Sequence, residues 1–317
     1  MTKTLAVMAA FGLASSAVAE PREIRAKGPE GDLVGTLLPV APDKPLVLII
    51  PGSGPTDRDG NNPLGVSAAS YRLLAEALAA RGIGSIRIDK RGMFGSQAAV
   101  PNPNDVTIGA YAQDVRAWIA AARAQTDVEC LWLLGHSEGG LVALAAAQQS
   151  EGVCGVLLVA SVGRKAGAIL REQLQTNPAN APILPDALAA IDALEAGERV
   201  SVEGMHPALQ GLFNPAVQGF LIDMMAQDPA ALARSLNVPA LIVAGGRDLQ
   251  TSLADGEALA AAQTGAELVV VEDMNHVLKR VEAEGRAANL ATYRDASIPI
   301  HPDLVEAIAE FVSGSPG

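Results

Sequence analysis

The chain has 317 residues, and 49% of them are apolar, enough for a large buried core and too many for a disordered polymer. Its formal net charge is −12 and aromatic residues make up only 3%. That balance argues against nucleic acid or an anionic membrane surface as a partner, and against a stacking platform for bases.

The first nineteen residues have the form of an export signal. Lys3 gives a positive start, an apolar run follows from Leu5 to Leu13, and Ala17-Val18-Ala19 supplies the small-x-small pattern read by signal peptidase. The run is shorter than the roughly 20 residues a membrane span needs. No cysteine stands at the cleavage point to take a lipid. The expectation is cleavage after Ala19 and a bacterial periplasmic or secreted protein with no membrane segment in its mature chain. In an oxidising compartment two cysteines suggest one bridge, so Cys130 and Cys154 are expected to pair. Each precedes an apolar run, and the two runs should be neighbouring strands.

The mature chain reads as alternating strands and helices. "EIRA" and "LVGTLLPV" flank Gly28-Pro29-Glu30-Gly31 as a hairpin. "PLVLII" is a continuous apolar run, as expected of a strand buried on both faces, and it stops at the loop Pro51-Gly52-Ser53-Gly54-Pro55. "SYRLLAEALAARG" predicts a helix ending at Arg81, "GSIRID" a strand, and "YAQDVRAWIAAARAQ" a second helix. "LWLL" and "GVLLVA" are strands separated by the helix "GGLVALAAAQQ". "PALIVAG" and "ELVVVED" are later strands, each following helical sequence. This alternation predicts an α/β fold, a mostly parallel sheet with helices on both faces. Residues 161–237 break it. They hold helical pieces and six prolines but no strand run, and "LFNPAVQGFLIDMM" is apolar enough to pack. The expected organisation is a core of residues 20–160 and 238–317, with a helical lid at 161–237.

Gly135-His136-Ser137-Glu138-Gly139 fits Gly-x-Ser-x-Gly between a strand and a helix, the context that gives this short motif meaning. A turn that tight needs small residues on both sides of the serine. The helix that follows aims N–H groups and its positive end at the hydroxyl. A serine nucleophile needs a base, and the base needs an orienting carboxylate. Of the four histidines, His136 lies inside the turn and reads as a packing residue, while His206 and His301 each precede a proline. His276 follows a strand on the edge that carries Ser137, so it is the expected base. Asp248 ends "PALIVAGGRD" on that edge and is the expected acid. Asp273, nearer in sequence, reads as a solvated turn residue. The chain order is then Ser137, Asp248, His276.

With "PGSGPTDRDGN", "DKRG", "GHSEGG", "GGRD" and "MNHVLK" in place, the chain resembles the α/β-hydrolase superfamily, and within it bacterial serine esterases with a helical cap. The resemblance implies an eight-stranded sheet whose second strand is antiparallel, a helical lid, and a triad of Ser137, Asp248 and His276. By the family's loop it also implies an oxyanion hole formed by the backbone N–H groups of Ser53 (Gly54 is the alternative) and Glu138. One departure stands out: Phe94 occupies a position where the family has glycine. Asp57, Arg58, Asp59, Lys90 and Arg91 read either as an ion network bracing the nearby loop or as solvated charge. Within the lid, Phe213, Val217 and Phe220 fall at helical spacing, so Phe213 or Phe220 is expected to line the substrate pocket. Neither metal-ligand spacing nor a phosphate-cradling glycine loop is present, so no cofactor or metal is expected. The expected reaction is cleavage of a small-molecule carboxylic ester through an acyl-enzyme. The same triad also serves aminopeptidases and acyltransferases, and the fold is shared by binding proteins without turnover.

Overall fold

A computed structural model describes residues 20–314; the expected signal peptide, residues 1–19, lies outside them. One sheet of eight strands organises the described chain. The strands are β1 (Arg22–Lys27), β2 (Asp32–Leu38), β3 (Leu46–Ile50), β4 (Gly84–Ile88), β5 (Leu131–His136), β6 (Val153–Val159), β7 (Ala240–Gly245) and β8 (Glu267–Val271). Their order in the sheet is β1-β2-β4-β3-β5-β6-β7-β8. β2 runs antiparallel to both its neighbours, and every pairing from β4 through β8 is parallel. β3, β4, β5 and β7 are buried at every position; β3, β5 and β7 accordingly read as apolar runs rather than alternating ones, whereas β4 carries the buried Ser85 and Arg87.

Two hydrophobic layers cover the two faces. α2 (Ile108–Gln125), α3 (Glu138–Ala147) and α9 (Leu253–Ala262) pack on one face through Val115, Trp118, Leu141, Leu144 and Leu259. α1 (Ser70–Ala79) and α10 (Pro302–Gly314) pack on the other through Leu74, Leu78, Leu304 and Ile308. α1 stops two residues before the expected Arg81, because the chain turns at Gly82 with φ 75°, a value that favours glycine.

Between β6 and β7 the chain forms α4 (Ala166–Thr176), α5 (Leu184–Glu195), α6 (Pro207–Leu212), α7 (Gln218–Ala226) and α8 (Pro229–Arg234), with no strand. Pro185, Pro207 and Pro229 sit in the first turns of α5, α6 and α8, where a missing N–H costs nothing. α4 to α7 share a small core of their own around Ile191, Leu194, Leu209, Phe213 and Met225. α8 packs instead on α3 and α9 and gives Ala233 and Leu236 to the main core, so by packing it belongs with the sheet rather than with the cap. The cap is tied down at both sides. The Asp223 carboxylate accepts from the Ile108 N–H at the start of α2, at 2.8 Å, and Arg164 pairs with the buried Asp255 at 2.8 Å. No helix among the described residues is long and apolar enough to cross a membrane.

Cys130 and Cys154 are joined by a disulfide, with Cα atoms 5.2 Å apart. It links the N-terminal ends of β5 and β6, far from the edge that carries Ser137. Leu131 pairs with Val153 and Trp132 with Gly155, so Cys154 is the extra residue of a bulge at the strand's start. The closed loop spans a sequence separation of 24. On the chain-entropy account such a loop stabilises the fold by about 3.5 kcal/mol. Paired Cys130→Ala and Cys154→Ala substitutions are expected to lower Tm by roughly 10 °C. A melting curve insensitive to both reductant and the double substitution would remove the bridge from the stability account.

Candidate active site

Four segments converge on the C-terminal edge of the sheet: Gly52–Gly54 after β3, Ser137 after β5, Asp248 after β7 and His276 after β8. Ser137 has φ 55° and ψ −122°, a conformation that side-chain-bearing residues rarely adopt. The turn is held by crowding. A Cβ at Gly135 would collide with the Gly139 carbonyl, and one at Gly139 with the Ile50 carbonyl. These contacts are why both flanks of Ser137 must be glycine.

His276 and Asp248 meet in a buried hydrogen bond, Nδ1 to Oδ2, at 2.8 Å. That leaves Nε2 as the ring nitrogen available to the cavity His276 shares with Ser137. Asp248 is fully engaged. Its Oδ2 also accepts from the Thr251 hydroxyl at 2.8 Å, and its Oδ1 from the N–H groups of Gln250 at 2.7 Å and Thr251 at 3.0 Å. Burial works against ionisation, but the neighbouring His276 and these hydrogen bonds outweigh it and hold the carboxyl below its ordinary range.

His136 does more than pack. Its Nε2 lies 2.8 Å from the His276 carbonyl, which can only accept, so Nε2 carries the proton and Nδ1 is the acceptor. The Tyr71 hydroxyl therefore donates to Nδ1 at 2.8 Å and itself accepts the Gly52 N–H at 3.0 Å. One chain of hydrogen bonds thus joins the β3 loop, the serine turn and the His276 loop. Burial, with the nearby His276, pushes the His136 pKa down to about 3, so its ring stays neutral. A histidine in the unfolded chain titrates near 6.5. Below that pH the unfolded chain gains a proton that the folded one refuses. Stability should therefore fall as pH drops from 6.5 toward 3, by about 1.4 kcal/mol per pH unit for this one site, and be unaffected above 6.5. Denaturant unfolding from pH 7.5 to 4.5 should show that slope reduced by one proton in His136→Gln; an unchanged slope would be evidence against the assignment.

With the Gly52 N–H spent on Tyr71, the next donor along that loop is the Ser53 N–H; Ser53 and Gly54 both line the cavity beside Ser137. Lys90 is buried and donates to the Gly52 carbonyl at 2.7 Å. The Gly52 carbonyl and the Ser53 N–H are two ends of one peptide unit. A cation on the oxygen fixes that plane and polarises the N–H at its other end. Lys90 also lies 3.5 Å from Glu138 Oε1 and 5.4 Å from the Tyr111 ring centre, while Glu138 Oε2 is buried without a hydrogen-bond partner. The charged residues that read either as a network or as solvated charge do form ion pairs, but with partners outside that group. Arg58 holds Asp89 at 2.6 Å, Arg87 pairs with Asp59, and Arg91 holds Asp114 at 2.6 Å. Asp57 accepts the N–H groups of Asp59 and Asn61, closing the loop on itself.

Two expectations change. Phe213 does not line the cavity: it is 0% exposed within the cap's own core. Its spacing to Val217 and Phe220 is not that of one helix, because α6 ends at Leu212 and α7 begins only at Gln218, with Pro215 between. Phe220 does line a cavity, edge-on to Tyr111 at 6.0 Å. Asp273 is not simply solvated: half-exposed, it pairs with His301 at 2.7 Å and Arg280 at 2.8 Å. Phe94 takes φ 46°, so the loop keeps the backbone conformation that glycine would favour although the side chain is phenylalanine.

The space around Ser137 has two lobes, each of about 360 Å³, which share Ser53, Gly54, Ser137 and Gln250. One is walled by His276, Tyr71, Val277, Tyr293, Asn62 and Thr56. The other lies beneath the cap and is walled by Ile169, Leu170, Val217, Phe220, Leu221 and Met224. Sequence reasoning missed Tyr71, His136 as a junction, Thr251 and the reach of Lys90. Tyr71, His136 and Lys90 bond to residues far away in the chain, and Thr251 reaches the Ala160 carbonyl as well as the nearby Asp248, so no local pattern signals them. Among the described residues, no group of three or more His, Cys, Asp or Glu side chains could hold a metal ion.

Known proteins agree with this architecture. Esterase EstD of Thermotoga maritima is 26% identical over 250 residues, 77% of this chain and 56% of that protein, so the chain spans little more than half the length of that relative. The Pyrococcus furiosus esterase Pf2001 superposes with a TM-score of 0.59 at 14% identity, covering 98% of each chain. A thermophilic esterase from Thermogutta terrifontis superposes with a TM-score of 0.56 at 19% identity, covering 94% of this chain and 99% of that one. These two likenesses concern the fold. The profile of the alpha/beta hydrolase family matches residues 47–281, from β3 through the His276 loop and so well over half of the sequence, and the chain belongs to that family.

Proposed function

We propose that the protein hydrolyses carboxylic esters through a covalent acyl-enzyme. Ser137 Oγ attacks the ester carbonyl while His276 Nε2 takes its proton. The carbonyl oxygen, now negative, is held by the N–H groups of Ser53 and Glu138. The tetrahedral intermediate collapses, the C–O bond to the alcohol breaks, and His276 returns the proton to the leaving oxygen. Water then repeats the sequence and releases the acid, restoring Ser137. Asp248 keeps the His276 ring in the right tautomer and stabilises its charged form. The observation that carries this reading is the buried 2.8 Å hydrogen bond between His276 and an Asp248 held ionised, beside a strained serine turn.

An aminopeptidase would need a free carboxylate at the cavity to hold the substrate's amine. The only acidic side chain among the cavity-lining residues described is Glu138, buried against Lys90; Glu203 is exposed in the cap and lines neither lobe. That favours an ester. The disulfide fits a protein working in an oxidising compartment, in line with export. Labelling by a fluorophosphonate, followed by p-nitrophenyl esters assayed beside aminoacyl p-nitroanilides, tests the reading. Ester turnover by a labelled Ser137 supports it; anilide turnover exceeding ester turnover, or no label, overturns it.

A further inference from the structure

The two lobes differ in chemistry and in what they offer the reaction. Beyond the residues both lobes share, Tyr293, Asn62 and Thr56 bring hydroxyl and amide groups to the first lobe beside Val66 and Val277, and the His276 ring stands in its wall. The lobe beneath the cap adds Gln173 and Glu138 but is otherwise walled by aliphatic, phenylalanine and methionine side chains, and His276 is not among them. Mechanism fixes which half of an ester enters each. The leaving oxygen must receive its proton from His276 Nε2, which requires a heavy-atom separation of about 2.6–3.2 Å. The alcohol half must therefore occupy the lobe that His276 lines. With the carbonyl oxygen turned to Ser53 and Glu138, the remaining substituent on the carbonyl carbon, the acyl chain, points into the lobe beneath the cap.

We propose that the substrate is an ester joining an apolar acyl chain of medium length to a small polar alcohol, with the chain under the cap and the alcohol beside His276. This rests on the esterase reading above. The volume beneath the cap, about 360 Å³, is large enough for an acyl chain of medium length. An acetyl group leaves most of the apolar wall wet. Each methylene buried there should raise kcat/KM about fourfold. Met224, unbranched and rotatable, lets the wall adapt to chains of somewhat different length. In the other lobe the Tyr293 hydroxyl accepts from Gln250 Nε2 at 3.3 Å and keeps its own proton to donate; an apolar alcohol would leave that proton without a partner, whereas a hydroxylated alcohol accepts it.

Two isomeric esters separate this assignment from its reverse. Ethyl octanoate and octyl acetate have the same composition, with the long chain on opposite sides of the ester oxygen. The wild-type protein should cleave ethyl octanoate with a kcat/KM at least about tenfold higher, the lower end of what several apolar contacts give. The glycerol monoester of octanoic acid should in turn be cleaved faster than butyl octanoate. Val217→Trp, which fills the lobe beneath the cap, should narrow the octanoate-to-acetate ratio in p-nitrophenyl esters by ~10-fold or more. Leu170→Trp offers the same readout from a different helix should the first variant fail to fold. Preference for octyl acetate, or equal cleavage of the isomers, overturns the division of the lobes while leaving the esterase reading intact. No turnover of either isomer, together with no fluorophosphonate label on Ser137, overturns the esterase reading and the division with it.

Discussion

Ser137→Ala is expected to reduce ester cleavage by about 10⁶-fold, the scale seen when a serine hydrolase loses its nucleophile. The protein should stay folded. Ser137 already sits at φ 55°, and alanine meets the same backbone cost, so the substitution changes the chemistry without adding strain. His276→Ala should fall to a similar floor, because nucleophile and base act as one unit and their losses are not additive. The double variant should therefore be little worse than either single one. Fluorophosphonate labelling must vanish in Ser137→Ala, and circular dichroism should be superimposable on that of the wild type. A variant that keeps more than a few per cent of activity in the absence of Ser137 would remove the acyl-enzyme from the account.

The fold was legible because its strands are buried on both faces. β3, β5 and β7 are uninterrupted apolar runs, and a run of that kind bounded by glycine or proline has few other meanings. The three residues proposed for catalysis could also be found by topology, since strand ends of a parallel sheet share an edge. What escaped was everything set by pairing at a distance. Tyr71 reads as one more apolar position on an amphipathic helix, yet its hydroxyl links Gly52 to His136 across the edge of the sheet. His136 reads as a packing residue because nothing local says which carbonyl its Nε2 will meet. Phe213 fails for the opposite reason: helical spacing does not carry across Asn214-Pro215, where the chain changes direction and turns that ring into the cap's own core. Lys90 shows the same limit. Its charge was visible, but not that it would be buried on the Gly52 carbonyl rather than paired with Asp57 or Asp59.

Asp248→Asn should cost about 10⁴-fold in kcat, the scale for a triad carboxylate replaced by its amide, and the hydrogen bonds around Asp248 say why. Two main-chain donors, the N–H groups of Gln250 and Thr251, converge on Oδ1. Neither tolerates an amide NH2 in its place, so the asparagine oxygen must face them. The NH2 then faces His276 Nδ1 and Thr251 Oγ1, each able to accept. His276 is thereby switched to the tautomer with its proton on Nε2, and a nitrogen already carrying a proton cannot take one from Ser137. The fold should survive, since every group keeps a partner; the loss should be in kcat rather than in KM. Asp273→Asn is the control. That carboxylate is 41% exposed and pairs with the exposed Arg280, a surface pair worth about 0–1 kcal/mol to stability, and with the buried His301, toward which an asparagine oxygen can still accept. It should leave kcat within a few-fold of the wild-type value and lower Tm slightly. Should Asp273→Asn prove the more damaging of the two, the acid would have to be reassigned to Asp273, and the buried bond between Asp248 and His276 would be left as a structural feature only.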